Sequence, residues 1–363
     1  MTKKGTISTF QMSAILLLCR MTALFTFMLP TTGFLLSGDR VLTVLPLMLT
    51  ELFTCLIAVR LINSTDSKSI ISETALHSQG ASRLSAVIYC LTFIWFAGIS
   101  AARFELFIST VMFPNSELFL MTIILVAASF YAALKGLEAM GRASVILSVI
   151  LALSIAFILL TVSGDFEYTN LKPVLTEGIS PVISFALYAS ARSVELITLY
   201  VTAPHIKGNI RKMTLSWIIT VSLTTAVILF FLAGVTGEYG DDQIFPLYTL
   251  TVIAKFGIFE RLDDILSGLW VLSTFIQLSF LLIAGNLAIR QGFGSKKEIP
   301  VLITECIAVL GIYFISSQTV TAYSEIISSV FQDILFVTVM LILPIALTLS
   351  NHTKKRKKVC TKK

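Results

Sequence analysis

Ten apolar stretches set the strongest limit on how this chain can fold. Each is close to the length of about 20 residues that a helix needs to cross a bilayer. Backbone groups in the bilayer interior find no water, so such segments span as helices. Hydrophobic residues make up 56% of the chain and charged residues only 13%, whereas a soluble domain carries about 25% charge. The sequence therefore predicts an all-α polytopic membrane protein with ten transmembrane helices, at residues 10–36, 41–61, 83–109, 118–134, 142–162, 182–201, 214–235, 264–289, 300–315 and 325–349.

The positions of the basic residues support this helix count. With the N-terminus inside, twenty of the 27 lysine and arginine residues fall in inner connections or in the tail. The outer connections carry only Arg40, Lys172, Lys255 and Arg261. Because basic loops remain on the cytoplasmic side, we expect both termini to be cytoplasmic. The net charge of +6 then reflects topology. We expect no nucleic acid partner, and the basic tail can attract anionic membrane lipid.

The apolar segment at 182–201 carries two charges near its middle. Arg192 and Glu195 lie three residues apart, beside Ser190 and Ser193. A charge at bilayer depth costs about 2.5–3.5 kcal/mol on insertion scales, so it normally faces a partner group or a wet cavity. Small polar residues suit a broken helix, whose freed backbone groups need other partners. Two interpretations stay open: a ligand or ion site, and an arginine–glutamate pair that locks one helix to a neighbour.

Ten helices divide into two sets of five. A five-helix unit reverses its orientation when it is repeated, so the halves form an inverted repeat in which helices 1 and 6 are counterparts. Helix 1 carries Arg20 beside Met21 and Thr22, matching Arg192 in helix 6. The pattern predicts that both helices are interrupted and border a central site. The expected parts are a first repeat at 1–162, an outer loop at 163–179, a second repeat at 180–350 and a basic cytoplasmic tail at 351–363.

Deep charges of both signs define the candidate site. A cavity lined by both signs can hold a zwitterion, with arginine on its carboxylate, but the same residues can form a dry network. Arg20 and Arg192 are candidates for an anionic group, and Glu195 for a cation or for orienting Arg192. The predicted ligand-binding residues are Arg20, Met21, Thr22, Arg103, Ser190, Arg192, Ser193 and Glu195.

Motifs of enzymes and metal sites are missing from the sequence. The five cysteines show no metal-binding spacing. No glycine-rich phosphate loop, HExxH sequence or nucleophile motif is present. We therefore expect no catalytic residues, no metal and no cofactor.

Several short motifs resemble those of one family. They are Ile7-Ser8-Thr9-Phe10-Gln11, Asn170-Leu171-Lys172-Pro173-Val174 followed by Gly178 and Pro181, Glu195, and Phe259-Glu260-Arg261-Leu262-Asp263. On these residues, and in length and basic tail, the chain resembles the B subunits of GerA-type spore germinant receptors. These belong to the amino acid/polyamine/organocation (APC) transporter superfamily.

The resemblance implies a LeuT-like fold of five plus five helices in a spore inner membrane. It also implies a subunit that senses a small nutrient, often an amino acid. Its partners would be a larger A-type membrane subunit and a C-type lipoprotein subunit. Alternatives are a secondary transporter of amino acids or similar solutes, and an assembly subunit without an active ligand site.

The chain departs from the family pattern at the expected site. Where many members have glycines in helix 1, this chain has Arg20, Met21, Thr22 and Ala23. Ser193 stands where many members have a glycine, two residues before Glu195. These residues imply a narrower and more positive cavity.

Overall fold

The computed structural model describes residues 5–25, 37–65, 69–113, 119–254, 263–294 and 297–350. These residues are almost entirely helical. The helices are α1 (Thr9–Phe25), α2 (Ser37–Leu42), α3 (Val44–Asn63), α4 (Ile70–His77), α5 (Gln79–Phe107), α6 (Phe119–Thr161), α7 (Ser180–Ser190), α8 (Val194–Thr202), α9 (Ile210–Thr236), α10 (Pro246–Ile253), α11 (Asp263–Phe293), α12 (Glu298–Ser316), α13 (Val320–Ile327) and α14 (Val330–Val337).

The helices have the length and surface of membrane spans. Within the described ranges, eight helical segments are long and apolar enough to cross a membrane, and α1 is a shorter apolar helix. Large apolar side chains face outward: Ile146, Leu153 and Leu160 on α6 are 63%, 67% and 73% exposed. Such a surface is stable against lipid tails. The chain is therefore a helical, multi-pass membrane protein.

α6 contains a sharp change of direction at Gly136. The backbone there has φ 82° and ψ 176°, which is not helical and which suits a residue without a Cβ atom. The parts of α6 on either side of Gly136 coincide with the predicted segments 118–134 and 142–162. The sequence placed a short connection here, and the structure replaces it by a kink.

The predicted sixth segment consists of two helices. α7 ends at Ser190 and α8 begins at Val194. Ser193 between them has φ −82° and ψ 61°, outside the helical region. By contrast, α1 is continuous from Thr9 to Phe25, so the interruption predicted beside Arg20 is not found there. Residues 26–36 lie outside the described part of the chain.

The last apolar segment is divided as well. α13 ends at Ile327 and α14 begins at Val330, and a π-helical turn follows at Thr338–Ile342. A π turn breaks the regular ladder of backbone bonds. Two tyrosines bond carbonyls of this turn: Tyr89 donates to the oxygen of Val339 at 3.3 Å and Tyr200 to that of Met340 at 2.8 Å. The sequence had predicted one uninterrupted helix here.

Two short strands join the beginning of α1 to the residues after α8. β1 (Ile7–Ser8) and β2 (Ile206–Lys207) pair in parallel. Ser8 and Gln11 form a capping box, because each side chain accepts a bond from the other's backbone N–H, at 2.9 and 3.2 Å. The Ile7–Gln11 motif therefore has a structural role: it starts α1 and binds it to the second half of the chain.

α5 and α11 lie at the centre of the helix assembly, where most of their side chains are buried. α5 also packs closely against α12 at Gly98. A Cβ atom on Gly98 would lie 2.5 Å from Cγ2 and 2.6 Å from Cβ of Ile312, and 3.2 Å from the backbone oxygen of Val309. The two helices can approach this closely only because Gly98 has no side chain.

We expect Gly98→Ala to destabilise the protein by about 1–3 kcal/mol, the usual effect of overpacking a core. Thermal unfolding of the purified protein in detergent measures this change. Gly80→Ala on the same helix is the matched control, since a Cβ there meets nothing within 4 Å. Equal melting temperatures for the two variants would contradict the close approach of α5 and α12.

Candidate functional site

Arg20 on α1 lies between two carboxylates from other helices. Its Nη1 is 2.6 Å from Oε1 of Glu51 on α3, and its Nε is 2.5 Å from Oε1 of Glu195 on α8. Nη2 donates to Oγ of Ser193 at 2.8 Å. Arg20 is only 6% exposed. One buried cation thus joins three segments that are far apart in the sequence.

The side chains of Arg20, Ser193 and Glu51 bond one another in a ring. Ser193 donates its hydroxyl proton to Oε1 of Glu51 at 2.8 Å while it accepts from Arg20. Glu195 lies in the first turn of α8, where the helix dipole favours a negative charge. The guanidinium also lies 5.5 Å from the ring of Trp217. With its donors bonded in this way, Arg20 acts first as a structural connection.

Arg192 lies in the gap between α7 and α8 and bonds the second divided segment, which consists of α13 and α14. Its Nε and Nη2 donate to the backbone oxygen of Ile327, the last residue of α13, at 3.1 and 2.5 Å. Nη1 donates to the backbone oxygen of Tyr188 at 2.8 Å and lies 2.5 Å from Oδ1 of Asp333 on α14. A cation suits the carboxyl end of a helix. Arg192 therefore connects the break between α7 and α8 with the break between α13 and α14. It does not pair with Glu195, three residues later, which bonds Arg20 instead.

Arg103 on α5 is bonded differently. Its Nε donates to the hydroxyl of Tyr323 at 2.9 Å. No ion pair joins Arg103 to a carboxylate among the residues that the structure describes. The residue is only 8% exposed. It is the deep arginine that lacks an acidic partner in the described chain.

The three deep arginines line one cavity of about 70 Å³, together with Ser193, Tyr188 and apolar side chains. A smaller space of about 10 Å³ lies beside it and is lined by Arg103, Arg192, Glu195, Gln277 and Gln332, among others. The sequence did not show whether these arginines share a cavity, and the structure brings them together.

The 70 Å³ cavity is not lined by the predicted site residues Met21, Thr22 and Ser190. Met21 and Thr22 are each 1% exposed, and Thr22 donates to Oε1 of Gln277 at 2.8 Å. Ser190 donates to the backbone oxygen of Leu187 at 2.8 Å, a bond typical of serine in membrane helices. Tyr188 and Tyr323 are contacts that the sequence reading missed, because an aromatic residue in an apolar segment gives no signal of its own.

Two further deep glutamates lie apart from the central cavity. Glu305 on α12 accepts a bond from the thiol of Cys90 at 3.3 Å, and Glu105 near the end of α5 accepts one from the hydroxyl of Tyr313. Neither residue lines the cavity that holds the arginines. The deep charges thus form several separate groups.

A second, larger cavity of about 750 Å³ lies near the kink of α6 and the end of α11. Lys135, Glu138, His205, Arg290 and Glu298 are among its lining residues. It shares no lining residue with the 70 Å³ cavity that the three deep arginines line. No cluster of three or more metal-ligand residues occurs in the part of the chain that the structure describes.

Comparison with known proteins decides the family. The family model described as "Spore germination protein" matches residues 6–326. This chain belongs to the spore germination protein family. Spore germination protein KB of Bacillus subtilis (strain 168) is 27% identical over 254 residues, which are 67% of this chain and 66% of that protein. Spore germination protein XB of Bacillus anthracis is 26% identical over 215 residues, 57% of this chain and 59% of that protein.

The fold of this spore germination protein is that of a transporter. It matches the structure of Mhp1, a nucleobase-cation-symport-1 family transporter in a closed conformation with bromovinylhydantoin bound, with a TM-score of 0.65. The match covers 98% of this chain and 96% of Mhp1, at 11% sequence identity, and shows the fold alone. The chain therefore shares the helical fold of this transporter. The matches to the two germination proteins cover less than two thirds of either relative.

Proposed function

We propose that this protein is an integral membrane subunit of a spore germinant receptor, which senses a small nutrient at the arginine-lined cavity and triggers germination. The observation that carries this proposal is the cavity itself, placed where α7 and α8 separate in a germination protein with a transporter fold. A pocket at a helix break is where transporter-like folds bind their solutes. In this proposal a larger A-type membrane subunit and a C-type lipoprotein subunit complete the receptor.

The same proposal includes a topology. Dividing α6 at Gly136 and adding α1 to the other spans gives ten transmembrane helices in two repeats of five. Helix 6 is interrupted between α7 and α8, and the outer loop at 163–179 joins the repeats. Both termini face the cytoplasm, because this orientation leaves most basic residues inside. The membrane is the spore inner membrane.

Ala23 offers a test that leaves the charges untouched, because it lines both spaces near the arginines. We expect Ala23→Val to fill part of the cavity and to raise the nutrient concentration needed for half-maximal germination at least tenfold. Germination of spores that carry the variant, across a nutrient panel, measures this shift, and immunoblotting of spore membranes measures abundance.

Ala128→Val, on the exposed face of α6, is the matched control and should behave as wild type. Normal abundance of Ala23→Val with an unchanged response would rule out the cavity as the sensing site. Normal germination on every nutrient after deletion of the gene would remove the receptor role altogether.

A permease of the APC type is the second candidate, favoured by the match to a transporter over 98% of the chain. Uptake of a labelled solute into vesicles that contain this chain alone would favour it. An assembly subunit without an active ligand site is the third candidate, favoured by the bonds of Arg20 to Glu51, Ser193 and Glu195. Loss of the protein from the membrane in every charge variant, with no shift for Ala23→Val, would favour that role.

A further inference from the structure

Arg103 differs from the two other deep arginines in what balances its charge. Arg20 faces Glu51 and Glu195, and Arg192 faces Asp333. Arg103 has the Tyr323 hydroxyl but no ion pair among the described residues. An isolated charge in a protein interior is costly unless it is paired. Arg103 is only 8% exposed and borders the cavity, yet it has no direct anionic partner among the described residues.

We propose that Arg103 binds the carboxylate of a small monocarboxylate anion in the 70 Å³ cavity. This inference rests on the proposed function, since it names the chemical class of the nutrient at the same site. The Nε of Arg103 is held by Tyr323, which leaves its two terminal nitrogens for the ligand. These can bond both oxygens of one carboxylate in the planar geometry that favours arginine over lysine. Tyr323 is then a positioning residue, which orients the guanidinium.

The acids near the site argue against a ligand with an ammonium group. The described residues that line the 70 Å³ cavity include three arginines and no aspartate or glutamate. Glu195 borders the smaller space, but it is bonded to Arg20, and Glu51 is bonded to both Arg20 and Ser193. Asp333 is paired with Arg192 and does not line the cavity. An ammonium group would therefore meet guanidinium groups instead of a vacant carboxylate. The residues that line the 70 Å³ cavity therefore favour a ligand with a single negative charge.

The size and apolar part of the cavity limit the rest of the ligand. A cavity of about 70 Å³ restricts the ligand to a carboxylate with a short carbon chain. Leu24, Leu47 and Phe185 line the same cavity and offer apolar contact to such a chain. Small-molecule sites commonly combine an apolar wall with a few polar groups that fix orientation. Acetate and propionate are the probes that fit this description.

The test uses the purified full-length chain in lipid nanodiscs and measures thermal unfolding against probe concentration. We expect acetate and propionate to raise the melting temperature in a saturable way, and acetamide, propionamide and ethylammonium to have no such effect. Arg103→Gln should weaken propionate binding at least tenfold. Arg103→Lys should bind with intermediate strength, because lysine keeps the charge without the planar fork.

Two further variants keep the test decisive. Tyr323→Phe removes only the hydroxyl that holds Arg103, and we expect a three- to tenfold loss of propionate affinity in a folded protein. Arg142→Gln removes an exposed arginine that pairs with Glu138 on α6 and should bind propionate as wild type. If Arg103→Gln does not fold, Tyr323→Phe and Arg103→Lys still decide the outcome.

Several results would overturn the inference. Equal stabilisation by propionamide would show that the charge is not recognised, and equal affinity for alanine would show that an ammonium group is accepted. Stabilisation by chloride at the same concentrations would assign the site to inorganic anions. If carboxylates fail to bind while Ala23→Val still shifts germination, only this inference falls. If propionate binds through Arg103 while germination never depends on the cavity, the receptor role is contradicted and the carboxylate site at Arg103 is retained.

Discussion

Replacing Arg20 with methionine should remove most of the folded protein from the membrane. The substitution leaves Glu51 and Glu195 buried, within a few ångströms of the same point, without their cation. Breaking a buried ion pair on one side costs about 3–5 kcal/mol, a large part of the stability of an ordinary domain. Thermal unfolding in detergent and the amount of protein in membranes measure the effect.

A triple variant separates the charge imbalance from the loss of packing. Arg20→Met combined with Glu51→Gln and Glu195→Gln removes all three charges, and buried ion pairs replaced by neutral groups are often neutral in stability or better. We expect it to recover most of the lost stability. Arg142→Met, at an exposed ion pair of α6, should change stability little. A single Arg20→Met variant as stable as wild type would show that the network does not join α1, α3 and α8.

Arg192→Met should lower stability by about 2–3 kcal/mol, in the range for hydrogen bonds to charged groups. The oxygen of Ile327 would lose both its guanidinium donors, and α13 would lose the cation at its carboxyl end. Arg192→Lys should recover only part of this loss, because one ammonium group cannot bond Ile327, Tyr188 and Asp333 in the same directions as a guanidinium. Thermal unfolding of the three proteins side by side measures the differences.

Asp333→Asn provides the matched comparison for Arg192. The Asp333 side chain is 44% exposed, and exposed ion pairs contribute about 0–1 kcal/mol. We therefore expect this variant to be much milder than Arg192→Met. If the two are equally severe, the ion pair and not the carbonyl of Ile327 holds the two divided segments together.

Apolar length predicted most of the long helices, because this signal lies within a short stretch of sequence. The divided last segment escaped prediction because Ser328 and Ser329 at the break carry no glycine or proline signal. The continuity of α1 was missed because the prediction relied on symmetry with helix 6. The residues around Arg20 include no glycine or proline that would indicate a break.

The sequence predicted the charged residues of the site but not their partners. Arg192 and Glu195 are three residues apart, yet each bonds a residue more than 130 positions away. Partner choice depends on how the helices pack, and no local pattern contains that. Glu51 bonds Arg20, which lies on a different helix. In our proposal, Arg103 takes the anion-binding role that the sequence suggested for Arg20 and Arg192, because those two arginines are paired with neighbouring acids.

The parallel pairing of β1 with β2 bears on how long a bound solute stays. A permease must let its cargo leave, so the helix ends below its binding site have to separate in each cycle. In this chain the first turn of α1 and the residues after α8 are fastened by backbone bonds between the strands and by contact of His205 with the oxygen of Gly5, at 3.3 Å. Parting them requires breaking these bonds together. In the proposed receptor, this fastening slows the release of a bound solute, which suits a subunit that reports occupancy.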